Sequence, residues 1–176
     1  MHIRRPTLHD LNECVKLDPA FTTQRVWQMN LNVEGAHIQI GFQLAPLPRP
    51  ITLPGVPISD ALLQCWQRGD CMYTSRQDAT ITGFIHLAPD PAKRLGRLEH
   101  HVVHRDLRRQ GIGSALLETA LQWSRDHHLR SLIVEINTKN HPAIAFYTHH
   151  GFAFSGFHER FYSDQEIILH LARMVR

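Results

Sequence analysis

The strongest constraint on the fold of this chain is a change of hydrophobic period near residue 111. The segment "RLEHHVVHR" predicts a β-strand, and "SLIVEIN" predicts another. Between them Ile112, Leu116, Ala120 and Trp123 share one face of a helix that runs to about His128. A strand–helix–strand unit at residues 97–136 closes as a right-handed crossover, so its two strands should lie parallel.

The remaining segments alternate between strand and helix patterns. The stretches "RVWQMNLNV" and "AHIQIGFQL" predict a β-hairpin that turns near Glu34-Gly35. The run "APLPRPITLPGVP" has five prolines in thirteen residues and predicts an irregular surface loop. Further helices are predicted at "LHDLNECVKLD", "SDALLQCWQR" (capped by Ser59) and "HPAIAFYTHH", and further strands at "HIRRPT", "CMYTSR", "ATITGFIHLA", "FAFSGFHERFY" and "EIILHLAR". The fold class is therefore α+β, a mixed α/β domain.

Length and composition are those of an ordinary globular protein. The chain of 176 residues fits one domain, residues 1–176, and 43% of its residues are hydrophobic. No apolar run approaches the roughly 20 residues that span a bilayer, and the N-terminus lacks an apolar leader. Three cysteines without Cys-x-x-Cys spacing indicate small apolar residues in a reducing compartment. We therefore expect a cytoplasmic protein.

Charge and the arrangement of the histidines argue against nucleic-acid binding and against a metal site. The formal net charge of +3 favours an anionic ligand, but the basic residues are too few and too evenly spread for nucleic acid. Histidines occur in pairs such as His100-His101 and His149-His150. Two neighbours in a strand, as predicted for His100 and His101, point to opposite faces and cannot share a metal ion. We therefore predict no metal site.

Two glycines at the start of the predicted helix suggest a phosphate-binding turn. The first N–H groups of a helix have no partner inside the helix, and the helix dipole adds positive charge there. Gly111 and Gly113 would let phosphate oxygens approach the backbone, while Arg108 and Arg109 add charge. The alternative is a plain strand-to-helix turn with surface arginines. The pattern matches neither a P-loop nor a dinucleotide fingerprint.

The pattern Arg108-x-x-Gly111-x-Gly113 resembles the acetyl-coenzyme A motif Arg/Gln-x-x-Gly-x-Gly/Ala of the GNAT N-acetyltransferase superfamily. The later run "VEINTKNHPAIAFYTHHGF" resembles the next block of that family, and residues 97–153 are similar to streptothricin acetyltransferases. One departure is Arg109, where the family often has glycine. The resemblance implies the GNAT acyl-CoA N-acyltransferase fold, a mostly antiparallel central sheet with one parallel strand pair, flanked by helices.

The resemblance also implies an acetyl-CoA site in a core at about residues 97–153. The pyrophosphate would lie on the N–H groups of the glycine turn, and the pantetheine arm would pair with the end of the preceding strand. A backbone N–H there, that of Val103, would polarise the thioester carbonyl. Asn140 either caps the next helix or binds coenzyme A. The cofactor-binding residues so implied are His101, Val102, Val103, Arg108, Arg109, Gln110, Gly111, Ile112, Gly113, Ser114, Asn140 and Phe146.

Acid–base chemistry needs a proton acceptor for the amine and a proton donor for the leaving thiolate. Glu99 and Glu135 lie among apolar residues of the two predicted parallel strands, where a buried carboxylate would suit the base. His101 is a further candidate. The alternatives for the glutamates are the solvent-facing side of a half-exposed strand or a buried ion pair with an arginine. The family motif suggests Tyr147 as the general acid, the alternative being an aromatic packing residue.

These residues predict an acetyl-CoA-dependent N-acetyltransferase acting by direct attack of a primary amine. The acceptor would be a small-molecule amine, for example a streptothricin-like antibiotic, or an amine of a protein or peptide. A non-catalytic acyl-CoA sensor and a nucleotide-binding protein are the rival interpretations. The acceptor site would come from residues 19–58, including Phe21 and Trp27. Charge for a cationic acceptor could come from Asp18, Glu34, Asp60 and Asp70, and the apolar C-terminus "EIILHLARMVR" permits a homodimer.

Overall fold

The computed structural model describes residues 1–58, 61–78, 80–159 and 166–176. Within those residues the strands are β1 (His2–Arg4), β2 (Phe21–Glu34), β3 (His37–Leu53), β4 (Cys71–Gln77), β5 (Thr80–Asp90), β6 (Leu95–Val103), β7 (Ser131–Asn137), β8 (Ala153–Glu159) and β9 (Ile167–Met174). The α-helices are α1 (Leu8–Val15), α2 (Leu62–Arg68), α3 (Ile112–Asp126) and α4 (His141–His149). Ser59, the predicted cap of α2, Asp60 and the end of the strand predicted at 152–162 lie outside the described residues.

The chain divides into two compact units, and the first comprises residues 1–20, 54–134 and 172–176. Its strands follow the order β1-β4-β5-β6-β7, with antiparallel pairing from β1 to β6. The last pair, β6 and β7, is parallel and joins Leu95–Leu98 to residues 131–134. This arrangement confirms the predicted fold class and the single parallel pair.

The core of the first unit follows the helical periodicity. Leu116 and Ala120 of α3 are fully buried, and Ile112 and Trp123 are 7% and 5% exposed, so the predicted apolar face is the buried one. A group of buried hydrophobic residues also joins α1 and α2 to the sheet: Leu11, Cys14, Leu17, Leu62, Met72, Ile81, Phe84 and Val102. In the parts of the chain that the structure describes, no helix is both long enough and apolar enough to cross a bilayer.

The second unit comprises residues 21–53 and 135–171. Strands β2 and β3 form a separate two-stranded antiparallel ribbon that turns at Gly35-Ala36, which confirms the predicted hairpin. The end of β7 is followed in the sheet by β9 and then β8, and α4 belongs to the same unit.

The prediction of a loop at the proline-rich run is wrong for most of its length, because β3 continues to Leu53. In a two-stranded ribbon each strand keeps one open edge, where a missing proline N–H removes no ladder hydrogen bond. Pro46 pairs with Arg25 at such a position. Pro48 and Pro50 lie opposite a register shift between Thr23 and Arg25, where the ladder is interrupted.

Candidate active site

The glycine turn joins β6 to α3 through two left-handed residues. After a short 3₁₀ turn at Arg105–Leu107, Arg109 has φ 66° and Gly111, the N-cap of α3, has φ 83°. A left-handed N-cap favours glycine. A Cβ added at Gly111 would meet no atom within 4 Å, so the space above this backbone is open. The turn therefore presents the first N–H groups of a 15-residue helix beside open space.

Arg108 braces this turn with its side chain. Its guanidinium donates hydrogen bonds to the carbonyls of Val103 (3.1 Å), Ala20 (2.7 Å) and Asp18 (2.9 Å). These bonds tie the end of β6 to the segment that follows α1. The side chain therefore holds the turn in place, which is the geometry of a positioning residue. Arg109 and Gln110 remain exposed beside it.

Strand β6 has an open edge next to this turn. Its parallel pairing with β7 ends at Leu98, and no further pair of the two strands occurs among the described residues. Across the other edge His104 N–H donates to the Thr82 carbonyl of β5 at 2.8 Å. Because peptide groups alternate along an antiparallel strand, the N–H groups of Val103 and His101 point away from β5. Val102 is buried, and His101 contacts the Gly113 carbonyl at 3.0 Å through Nε2.

The open edge begins at a β-bulge that sequence inspection missed. His86 of β5 pairs with His100 and the next residue, Leu87, pairs with Leu98, so Glu99 is the extra residue. A bulge re-aims a side chain and interrupts pairing, and such irregularities are frequent beside active sites. A single sequence carries no signal for it, because the bulge is defined by the register between two strands.

The prediction that Glu99 and Glu135 are buried is wrong. Their side chains are 31% and 34% exposed. Glu99 forms an ion pair with Arg97 at 2.5 Å, but the pair is not the buried one considered from the sequence, because the Arg97 side chain is 57% exposed. Glu135 lies 4.0 Å from Nε2 of His170 in the second unit. Both carboxylates remain accessible to solvent and to a ligand.

Helix α4 holds the remaining predicted residues. Asn140 is its N-cap, and the side-chain oxygen accepts a hydrogen bond from Ala143 N–H at 3.1 Å, which confirms the capping alternative. Tyr147 is 5% exposed and packs edge-on against Phe152 at 5.1 Å and Phe146 at 5.2 Å. Burial raises the pKa of Tyr147 above its ordinary value. Phe146, which the resemblance assigns to cofactor binding, is half-buried.

A buried polar chain was also missed from the sequence. Both carboxylate oxygens of Asp70 accept hydrogen bonds from Arg68, and one of them lies 2.9 Å from His86 Nε2. His86 Nδ1 in turn lies 3.4 Å from His100 Nδ1. Burial, the largest effect, lowers the pKa of His100. The carboxylate of Asp70 is thus already bonded to Arg68 and His86 within the first unit. This contradicts the expectation that Asp70 could supply charge for a cationic acceptor.

The other acceptor candidates are divided between the units. Asp18 and Glu34 are exposed, whereas Phe21 and Trp27 are half-buried. Within the second unit lies an apolar cavity of about 410 Å³, and its lining side chains are uncharged: Trp27, Ile40, Phe42, Ile144, Thr148, Phe152, Ala153, Phe154, Leu169 and Leu171. A lining of this kind suits an apolar group better than a cation.

Known proteins share both the sequence pattern and the fold. Human N-acetyltransferase 8 is 34% identical over 94 residues, which are 51% of this chain and 41% of that protein. Streptothricin acetyltransferase A of Bacillus subtilis (strain 168) is 33% identical over 67 residues, 38% of this chain and 39% of that protein. The alignments thus span about two fifths of these relatives.

A solved structure matches nearly the whole fold. A protein assigned as a streptothricin acetyltransferase of Bacillus anthracis, solved with acetyl coenzyme A, superposes with a TM-score of 0.83 and 20% identity. The match covers 99% of this chain and 98% of that one. The model of the acetyltransferase (GNAT) family matches residues 43–152, more than half of the chain. The chain therefore belongs to the acetyltransferase (GNAT) family, whose members use acetyl-CoA as co-substrate.

Proposed function

We propose that this protein is an N-acetyltransferase that transfers the acetyl group of acetyl-CoA to a primary amine by direct attack. The observation that carries the proposal is the left-handed turn at Gly111, which opens α3 beside the end of β6, beyond the last residue of β6 that pairs with β7 among the described residues. A helix N-terminus binds the pyrophosphate, and a strand edge pairs with an amide-containing arm. Family membership supplies the chemistry that such a site serves.

Coenzyme A binding is assigned to the turn and the adjoining strand. The N–H groups of residues 109–114 hold the pyrophosphate, and residues 101–103 pair with the pantetheine arm. The outward-pointing N–H of Val103 polarises the thioester carbonyl. Arg108 acts indirectly, by fixing the turn through its three carbonyl contacts. Asn140 and Phe146 remain assigned to the cofactor from the resemblance.

The reaction moves two protons. The amine nitrogen loses a proton and attacks the thioester carbon, the carbon–sulfur bond breaks, and the thiolate takes up a proton. We assign the base to Glu99, with Glu135 as the alternative, and the acid to Tyr147. The raised pKa of Tyr147 keeps its hydroxyl protonated at neutral pH. Burial raises the pKa of the Cys14 and Cys71 thiols to about 12, which disfavours a covalent intermediate on either of these two cysteines.

The acceptor is proposed to be a small-molecule amine, with a streptothricin-like antibiotic as the first candidate. The support is the 33% identity with streptothricin acetyltransferase A over 67 residues of this chain. A protein or peptide amine is the alternative acceptor, and a non-catalytic acyl-CoA sensor is the alternative function.

The test is release of free coenzyme A thiol from acetyl-CoA against a panel of amines. The panel contains streptothricin, aminoglycosides, polyamines and short peptides, with a control that lacks an acceptor. We expect saturable turnover with one class, which identifies the acceptor. Tight binding of acetyl-CoA without turnover in any class would contradict the enzyme and favour the sensor.

A further inference from the structure

Three potential metal ligands converge in the second unit. Glu135 lies on β7, His170 on β9 and His158 on β8, which are neighbouring strands in the order β7-β9-β8. His158 Nδ1 is 2.7 Å from His170 Nε2, and the same His170 nitrogen is 4.0 Å from Glu135 Oε1. All three ligand atoms lie within 4.8 Å of one another. The middle strand thus carries the central ligand.

The donor set and its spacing suit a divalent transition metal. Two imidazole nitrogens and one carboxylate oxygen are ligands that Zn²⁺ and related ions accept together. Bonds of about 2.0–2.1 Å in a tetrahedral site place neighbouring ligand atoms about 3.3 Å apart. The observed separations of 2.7 and 4.0 Å lie on either side of that value. Side-chain shifts below about 1 Å would therefore form the site.

We propose that His158 Nδ1, His170 Nε2 and a carboxylate oxygen of Glu135 bind one divalent transition-metal ion of the Zn²⁺ type. His170 and Glu135 are 30% and 34% exposed, which leaves an open side for the ion and for solvent as a further ligand. The ion displaces the proton shared by the two imidazoles. The histidines are twelve residues apart in sequence on different strands, so their spacing carries no metal motif.

The proposed metal ion takes no part in the proposed acetyl transfer, which needs no metal. The proposed metal site and the proposed acetyl transfer share one residue, Glu135, which is the alternative base. A bound ion would occupy its carboxylate and so exclude that role while bound.

A second cluster in the first unit, Cys65 with Asp70 and His86, is the weaker candidate. Both oxygens of Asp70 already accept hydrogen bonds from Arg68, and the side chains of Asp70 and His86 are only 1% and 3% exposed. Two of its three members are thus buried and Asp70 is already hydrogen-bonded, so this cluster suits an ion less well and serves as the comparison in the test.

The experiment titrates the metal-free full chain, without acetyl-CoA, with Co²⁺ followed by visible absorption and with Zn²⁺ followed by calorimetry. We expect one saturable site with the d–d bands of low-coordinate cobalt and no strong sulfur-to-cobalt absorption. Outer-shell partners alone contribute about 10- to 100-fold to metal affinity, so losing a direct ligand should weaken binding by at least about 100-fold. His158→Ala and His170→Ala should each show that loss, and Glu135→Gln at least about a tenfold loss.

The controls separate this site from other histidines and from the second cluster. His9→Ala, at an exposed position on α1, and Cys65→Ser should leave the affinity unchanged. Circular dichroism of the metal-free variants checks folding, and His170→Asn replaces His170→Ala if the latter is unfolded. Unchanged affinity in both histidine variants, loss in Cys65→Ser, or the absence of saturable binding in the wild type would each overturn the proposal.

Discussion

The hydroxyl of Tyr147 is the single group whose removal best separates chemistry from binding. Tyr147→Phe deletes one oxygen and keeps the ring that packs at 5.1 Å from Phe152. We expect acetyl-CoA binding and folding to be retained. A general acid contributes about 100-fold or more, so kcat should fall by at least about that factor. Steady-state kinetics and a binding titration on the same preparation measure both quantities.

Tyr73 offers the matched control for this substitution. It is a half-buried tyrosine on β4, so Tyr73→Phe makes the same chemical change outside the proposed mechanism. We expect kcat in that variant to stay near the wild-type value. If Tyr147→Phe turned over at the wild-type rate, Tyr147 would be an aromatic packing residue, as its burial alone would also allow.

At the scale of elements, the N-terminus of α3 can be tested with a pair of nearly isosteric substitutions. Asn and Asp both tolerate the left-handed conformation of Gly111, φ 83°, and either side chain enters open space. They differ in charge. Two like charges about 4 Å apart near a protein surface repel by about 4 kcal/mol. Gly111→Asp should therefore raise the Kd for coenzyme A at least about tenfold above that of Gly111→Asn.

Isothermal calorimetry of both variants measures this difference directly. The Asn variant controls for backbone strain and for loss of glycine. The ratio of the two Kd values therefore measures only the repulsion between the Asp carboxylate and the pyrophosphate. Equal Kd values would mean that the pyrophosphate does not lie on this turn.

The elements also show which features the sequence could predict. The buried face of α3 and the cap Asn140 depend on spacing within one segment; the first was predicted, and the second was one of two alternatives considered from the sequence. The bulge at Glu99 and the interrupted strand at Pro48 depend on the register with a partner strand, which one sequence does not encode locally. The exposure of Glu99 and Glu135 likewise depends on how their strands pair, which the sequence around each residue does not show. Tertiary pairing, rather than local propensity, determined these outcomes.

At the scale of the whole molecule, two buried carboxylates hold separate parts of the first unit together. Asp10 of α1 accepts hydrogen bonds from Thr7 of the helix cap, from Arg4 of β1 and from Arg76 of β4. Its side chain is 2% exposed. Burial by itself raises the pKa of Asp10, but the hydrogen bonds from Thr7 and the charge of Arg4 outweigh it and lower the pKa. The pKa of Asp70 is also lowered, because the hydrogen bonds and charges of Arg68 and His86 outweigh the effect of burial.

These shifts predict the pH dependence of folding. A carboxyl group whose pKa is lower in the folded state stabilises the fold above its ordinary value of 3.8, and this stabilisation is lost as pH falls through the folded pKa. The pKa of His100 is also lowered in the folded state. The fold therefore begins to lose stability already when the pH falls below 6.5, the ordinary pKa of this histidine, before the carboxyl groups titrate. The free energy of unfolding should therefore decline gently below about pH 6.5 and steeply below about pH 4.

Asp10→Asn isolates the steeper part of that decline. The variant keeps the size of the side chain and removes its charge, which should lower the free energy of unfolding at pH 7 by about 1–3 kcal/mol. Below pH 4 its stability should converge with that of the wild type, because protonation removes the same charge there, whereas the gentle decline from His100 should persist. Urea unfolding at a series of pH values measures both curves. Parallel curves down to the lowest pH would show that the Asp10 charge contributes nothing to the acid sensitivity of the molecule.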